Sequence, residues 1–292
     1  MAASTNWITA SDAPIGVIAG SGLYELFGAD APSRSIATPY GDTSAPITLG
    51  RLGDRDVAFL PRHGTGHSVP PHRINYRANI WALRSLGVRG LVTFSAVGGL
   101  NLDCGPGQFV LTDQIIDRTH GRQDTFFDGE VLAASGVQHL SAAVPFCHRL
   151  REAASASLAE LGERFHPTGT VVVIQGPRFS TAAESRWFRD IGGDTVNMTQ
   201  YPETVLAGEL GIGVVNLSYV TDSDAGLADA ESGSGEDAVQ HHDVLARLTE
   251  AQPRIRAALT AIVRAVPAGY RPDPGIAEPA IAAVLDLPVA VR

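Results

Sequence analysis

The stretch Gly211-Ile-Gly-Val-Val-Asn-Leu-Ser-Tyr-Val220 reads as a strand covered on both faces, because its apolar residues run on with little interruption. It ends in Thr221-Asp222-Ser223-Asp224-Ala225-Gly226, where two carboxylates stand two residues apart. While the backbone stays extended, period-two geometry places Asp222 and Asp224 on one face. Such a pair can accept hydrogen bonds from an amino-substituted ring. It can also hold a single proton, since like charges resist joint ionisation. Ordinary turn chemistry at a strand end is the competing explanation.

Outward from this run, strands and helices alternate. Pro14–Ala19 is a second apolar run, leading into Gly20-Ser21-Gly22, and a hairpin-like region follows to about Leu60. Residues 73–86 carry Ile74, Ala78 and Trp81 at helical spacing, and residues 146–162 place Phe146, Leu150, Ala154, Leu158 and Leu161 on one helical face. Gly90–Ala96, Gln108–Asp113 and Val171–Ile174 read as strands; residues 182–191 and 202–210 read as helices. Residues 227–237 read as a mobile acidic loop, 238–266 as a helix with a possible bend at Pro253, and the Pro-rich stretch from Pro267 as an irregular arm. The alternation predicts an α/β fold around a largely buried sheet. The expected organisation is a flexible tail over 1–12, one domain over 13–266 and a C-terminal arm over 267–292.

Composition narrows the function. The chain has 292 residues, 44% hydrophobic and 18% charged, enough for a sizeable core. A formal charge of −9 argues against nucleic acid or an anionic membrane as the main partner. Cys104 and Cys147 are the only cysteines, which disfavours a disulfide framework and a structural zinc site. The first residues lack the basic and apolar segments of a secretory signal, so the expectation is a soluble cytosolic protein.

Three small-residue turns follow predicted strands: Gly20-Ser21-Gly22, Ser95-Ala96-Val97-Gly98-Gly99, and Gly176-Pro177 with Phe179-Ser180. Open α/β sheets bind ligands at the carboxyl ends of their strands, where Gly and Ser let amides and hydroxyls approach an anion. Arg62-His63-Gly64 adds a guanidinium fork and an imidazole able to donate to phosphate. His67 and His72 make 62–73 the one locally basic stretch; a metal cluster of these histidines would lack an accompanying carboxylate. Thr199 stands where it would cap a helix or meet an anion at its N-terminus, and Glu203 where it would complement that helix's dipole.

These segments together resemble the trimeric purine nucleoside phosphorylases, most closely their 5′-methylthioadenosine phosphorylase branch. The likeness runs from about Ile15 to Leu259. It is densest at Ile15–Leu23, Arg62–Gly64, Ile74–Leu83, Asp113–Thr119, Gln175–Ser180, Asn197–Thr199 and Thr221–Asp224. The resemblance implies a single-domain, three-layer α/β fold with a central mixed β-sheet flanked by helices. It implies phosphorolysis of an N-glycosidic bond, with inorganic phosphate as co-substrate and no metal or organic cofactor. Phosphate would be held by Ser21, Arg62, His63, Ser95, Ala96 and Thr199, the base by Phe179, Ser180, Asp222 and Asp224, and the ribose by Met198. A protonated Asp222 would be the catalytic acid toward the departing purine.

The resemblance further implies a homotrimer, with His139 reaching a neighbouring subunit's 5′ pocket. That pocket would be completed by His241, Val244 and Leu245. The methylthioadenosine branch typically has an apolar residue where His241 falls, whereas phosphorylases of ordinary nucleosides carry a His. The pocket therefore reads as mixed, admitting 5′-hydroxyl or 5′-halogen substrates beside methylthioadenosine. A 6-oxopurine substrate is disfavoured, because two carboxylate acceptors suit an exocyclic amine better than a carbonyl.

Overall fold

The computed structural model describes residues 13–21, 23, 26–28, 30–129, 136–224 and 241–289, with His241 by its backbone alone. The expected N-terminal tail and the acidic loop 227–237 lie outside the described residues. Eleven strands form one mixed sheet. They are β1 (Ile15–Ala19), β2 (Ser33–Arg34), β3 (Ile47–Leu52), β4 (Arg55–Pro61), β5 (Gly90–Gly99), β6 (Phe109–Thr112), β7 (Gln114–Arg118), β8 (Phe165–His166), β9 (Thr170–Ile174), β10 (Thr195–Asn197) and β11 (Gly213–Ser223). The order is β2-β3-β4-β1-β5-β10-β9-β7, with β11 paired to both β5 and β6, and β8 on β6.

Strands β1, β4, β5 and β11 are linked by parallel pairings, so their carboxyl ends emerge on one side of the molecule. The strand that opened the sequence analysis lies at the centre, and β5 is its parallel partner over nearly its whole length. Its apolar run is continuous because helices cover both faces of the sheet. Val215, Leu217 and Tyr219 point into one core with α2 (His148–Glu160) and α5 (His241–Ala265). Val214 points the other way, into a core with α1 (Tyr76–Ser85), α4 (Gln200–Glu209) and α6 (Glu278–Leu285). The remaining helix, α3 (Ala182–Asp190), starts on a capping box: Thr181 and Glu184 exchange side-chain and backbone hydrogen bonds. No helix among the described residues is long and apolar enough to cross a membrane.

Three local expectations change. Leu161 is exposed rather than part of the buried face of α2, because the helix ends at Glu160 and Leu161 is its C-cap. The arm after Pro267 is not irregular throughout: α6 buries Ile281 and Val284, and the Trp81 indole donates to the Val284 carbonyl at 3.1 Å. Apolar spacing in Glu278–Leu285 was masked by its proline, which sits in the first helical turn, where no donor is lost. Finally, α5 runs on through Pro253 as one helix of 25 residues.

Candidate active site

A cavity of about 370 Å3 opens at the carboxyl ends of β1, β4, β5, β9, β10 and β11. Ser21, Arg62, His63, Ser95, Ala96 and Thr199 line it at one end. Phe179, Ser180, Asp222 and Asp224 line it too, together with Met198 and Val244. Leu245 does not line it; the residue is half-buried beside Val244 on α5. His139 is exposed and away from the cavity of its own chain. The side chain of His241 lies outside the described residues.

The anion end is built on a buried charge pair. Arg62, 1% exposed, donates from Nε and Nη2 to the two carboxylate oxygens of Glu203, each at 2.7 Å, and from Nη1 to the Phe94 carbonyl at 3.0 Å. Burial opposes the charge, but the Glu203 charge and hydrogen bonds outweigh it and hold the Arg62 guanidinium above its ordinary range. Glu203 stands in the first turn of α4 as expected, but its main partner is Arg62 and not the helix dipole. It is itself buried, and its carboxylate is spent on Arg62. Such a bidentate fork fixes the plane of the guanidinium beside the cavity.

His63 is held by its Nδ1 on the Val69 carbonyl at 3.0 Å and stacks on His67, ring centroids 4.4 Å apart. Burial, then the neighbouring Arg62 charge, pushes its pKa down to about 3, so the ring is neutral. A neutral imidazole that donates from Nδ1 keeps a lone pair on Nε2. As it stands, His63 therefore offers an acceptor, suited to the P–OH of a hydrogen phosphate, where sequence reasoning expected a donor. Gly20 makes room for both side chains: a Cβ there would lie 3.0 Å from Arg62 Nη1 and 3.1 Å from His63 Cδ2.

Ser95 is oriented from behind. Asn216, fully buried on β11, donates from Nδ2 to Thr93 Oγ1 at 2.8 Å and Ser95 Oγ at 3.1 Å. Its Oδ1 accepts from Thr112, Gln200 and Ser218. Since Ser95 Oγ accepts from Asn216, its own hydrogen is free to be given to an anion. Thr199 makes no side-chain capping bond to α4; Asn197 Oδ1 takes the backbone N–H of Thr199 at 3.3 Å and of Gln200 at 3.5 Å instead. The capping role expected of Thr199 thus belongs to Asn197, and Thr199 lines the cavity.

At the other end, β11 changes register between Val220 and Asp222, a bulge that re-aims the strand terminus. Both carboxylates then face the cavity. Asp222 Oδ1 accepts from Thr221 Oγ1 at 2.5 Å, and Asp224 Oδ2 accepts a short bond from Ser185 on α3. Burial, reinforced by the Asp224 charge, pushes the Asp222 carboxyl up to about 6, against the pull of Thr221 and Arg247. Burial also raises Asp224, with the hydroxyls of Ser185 and Ser180 offsetting part of the rise. The arrangement is a coupled acid pair beside an aromatic side chain, Phe179, which is 38% exposed at the cavity wall.

Sequence reasoning missed Asn216, Ser185 and Arg122 altogether, and the pairing of Glu203 with Arg62. Arg122 donates to the Tyr201 carbonyl at 2.5 Å and to Gln175 through its side chain at 3.2 Å and its carbonyl at 3.0 Å. It thereby ties the loop carrying Phe179 to the start of α4. A polar residue inside the apolar run 211–220 was the one available signal for Asn216. Nothing local marked Ser185 or Arg122.

The sequence profile of the phosphorylase superfamily matches residues 14–264. An S-methyl-5′-thioadenosine phosphorylase of Mycolicibacterium smegmatis is 52% identical over 239 residues, covering 82% of this chain and 86% of that protein. A purine nucleoside phosphorylase of Streptomyces coelicolor is 46% identical over 283 residues, covering 91% and 98%. A solved methylthioadenosine phosphorylase of Schistosoma mansoni in complex with adenine superposes with a TM-score of 0.79 at 35% identity, covering 86% of this chain and 91% of that one.

Proposed function

The chain belongs to the phosphorylase superfamily, and from that premise we propose that it cleaves the N-glycosidic bond of an adenine nucleoside with inorganic phosphate. The leading substrate is 5′-methylthioadenosine, and the products are adenine and a 5-substituted ribose 1-phosphate. One observation carries the reading: a single cavity holds the Asp222/Asp224 acid pair together with the Arg62–His63–Ser95–Thr199 set. The first set suits a 6-aminopurine and the second a phosphate.

Adenine presents a donor at its 6-amino group and an acceptor at N7. An ionised Asp224 would accept from the amine, and a protonated Asp222 would donate to N7. As the C1′–N9 bond breaks, its electron pair stays with the purine, and Asp222 gives its proton to N7. A phosphate oxygen bonds to C1′, and the proton that hydrogen phosphate loses on becoming an ester replenishes Asp222. Every group needed is a side chain or the phosphate itself, so the reading includes no metal or organic cofactor. Met198 would lie against the ribose, with Ser21 and Ala96 completing the phosphate cradle.

The 5′ pocket decides among substrates. Val244 supplies an apolar wall, and we assign the rest to His241 and Leu245 with His139 of a neighbouring subunit, in a homotrimer. This composition also suits adenosine or a 5′-halo-5′-deoxyadenosine. The 6-oxopurine alternative stands behind these, because a 6-carbonyl facing an ionised Asp224 is left without a donor.

Adenine release should require phosphate, and release at the same rate in phosphate-free buffer would indicate a hydrolase. Turnover of adenosine, inosine, methylthioadenosine and a 5′-chloro analogue should rank adenine nucleosides above inosine. His241→Val should then move preference toward the methylthio group, and an unchanged ranking would discard that role of His241.

A further inference from the structure

Ser185 lies outside the cavity, fully buried in the first turns of α3, and nothing in its sequence neighbourhood points to catalysis. Its Oγ has two acceptors within reach, the Asp224 carboxylate and the Thr181 carbonyl at 3.1 Å, and the contact to Asp224 is the shorter. One hydroxyl hydrogen serves one acceptor well, so it goes to Asp224. Thr221 likewise donates to Asp222, the shorter of its two contacts, the other being the Val97 carbonyl at 3.2 Å. Gly98 on β5 lets Asp224 pack close to the strand, since a Cβ there would stand 3.0 Å from Asp224 Cβ and Oδ1.

We propose that Ser185 is a positioning residue that assigns the proton of the acid pair: by donating to Asp224 it keeps that carboxylate an ionised acceptor, so that Asp222 is the member that carries the proton. The proposal rests on the reading of Asp222 as the acid. Two coupled carboxylates share protons as a unit, and the site with the better donors ionises first. Burial drives both groups upward, with hydroxyls on Asp224 and the Asp224 charge on Asp222 completing the bias. The other charged groups facing the pair are Glu184 on α3, which disfavours ionisation of Asp224, and Arg247 on α5, which favours ionisation of Asp222. Asp224 has two hydroxyls beside it, Ser185 and Ser180, against Thr221 alone on Asp222, and of the two Ser185 is the one seated in a short hydrogen bond to Asp224, so its removal tips the pair.

Ser185→Ala should let the proton pass to Asp224. Asp222 then loses the like charge that raised it and ionises at lower pH. The alkaline limb of kcat/KM for methylthioadenosine, measured at saturating phosphate, should move down by about one pH unit relative to wild type. The KM for phosphate should stay within about twofold, because the phosphate contacts lie at the other end of the cavity. Ser185→Thr, which keeps the hydroxyl, should leave the limb in place. A purely structural role would lower activity at every pH without moving the limb. An unmoved limb in folded S185A, with D222N inactive, overturns the role of Ser185 alone. Wild-type activity in D222N overturns the acid assignment itself. Should S185A fail to fold, Ser185→Cys, a weaker donor of similar size, is read by the same shift.

Discussion

Asp222 combines a strand-end position, a register shift and a buried environment, and each contributes to its chemistry. Its carboxyl, pushed up to about 6 chiefly by burial, should make kcat/KM decline as pH rises through that value, because the acid form is lost. The same displacement acts on stability. The folded state keeps the proton up to about 6, whereas the unfolded chain releases it near 3.8. The folded state thus binds more protons between these values, and unfolding free energy should fall across that window and level off above it. Asp222→Asn should remove the Asp222 share of this slope and leave what the raised Asp224 contributes, which urea titrations at pH 4 and pH 6 would compare. The same variant should lose about 10²- to 10⁴-fold in kcat on adenine nucleosides, the usual worth of a positioned acid.

At the level of elements, the cavity is a meeting of strand ends braced by helices behind them. Arg62 follows β4 and Glu203 begins α4, and the bidentate pair joins the two across the core. Breaking one member of a buried pair leaves the other charged and unpaired, typically at a cost of about 3–5 kcal/mol. Glu203→Gln should therefore lower the unfolding free energy by an amount in that range, read as a lower denaturant midpoint, and raise the KM for phosphate more than the KM for nucleoside. Equal changes in both would show that Glu203 supports the fold without aiming Arg62. The elements themselves were largely legible in the sequence: the runs at 14–19, 90–96, 171–174 and 211–220 each became strands. Strands β7 and β10 were not, because β7 flanks two isoleucines with polar and charged residues on a largely exposed edge, and β10 has three residues. Helix α6 was hidden by the proline in its first turn and by a short apolar repeat.

For the whole molecule, three layers enclose two cores, and the second is closed by α6. Ile281, fully buried there, should cost about 2–5 kcal/mol when cut to Ala. The cavity is remote from α6, so kcat at 25 °C should be unchanged while thermal inactivation comes earlier. The proposed trimer is tested separately. Sedimentation velocity should give three times the 30.7 kDa chain mass, and His139→Ala should alter discrimination at the 5′ group while sparing phosphate KM. A fully active monomer would remove both expectations.

The sequence alone determined the alternation of buried strands and helices, and hence the α/β class, because apolar periodicity is a local property of the chain. It also determined which residues could read phosphate and purine: Arg62-His63, the small-residue turns and the Asp222/Asp224 pair are chemically distinctive where they stand. Only the tertiary structure decided what holds those residues and in which state. That Glu203 sustains the Arg62 charge, that Asn216 aims Ser95, and that Ser185 meets Asp224 all depend on partners 39 to 141 positions apart in sequence, and that His63 is neutral depends on its burial. Hydrogen-bond direction and burial arise from contacts between distant segments, and no local pattern encodes them.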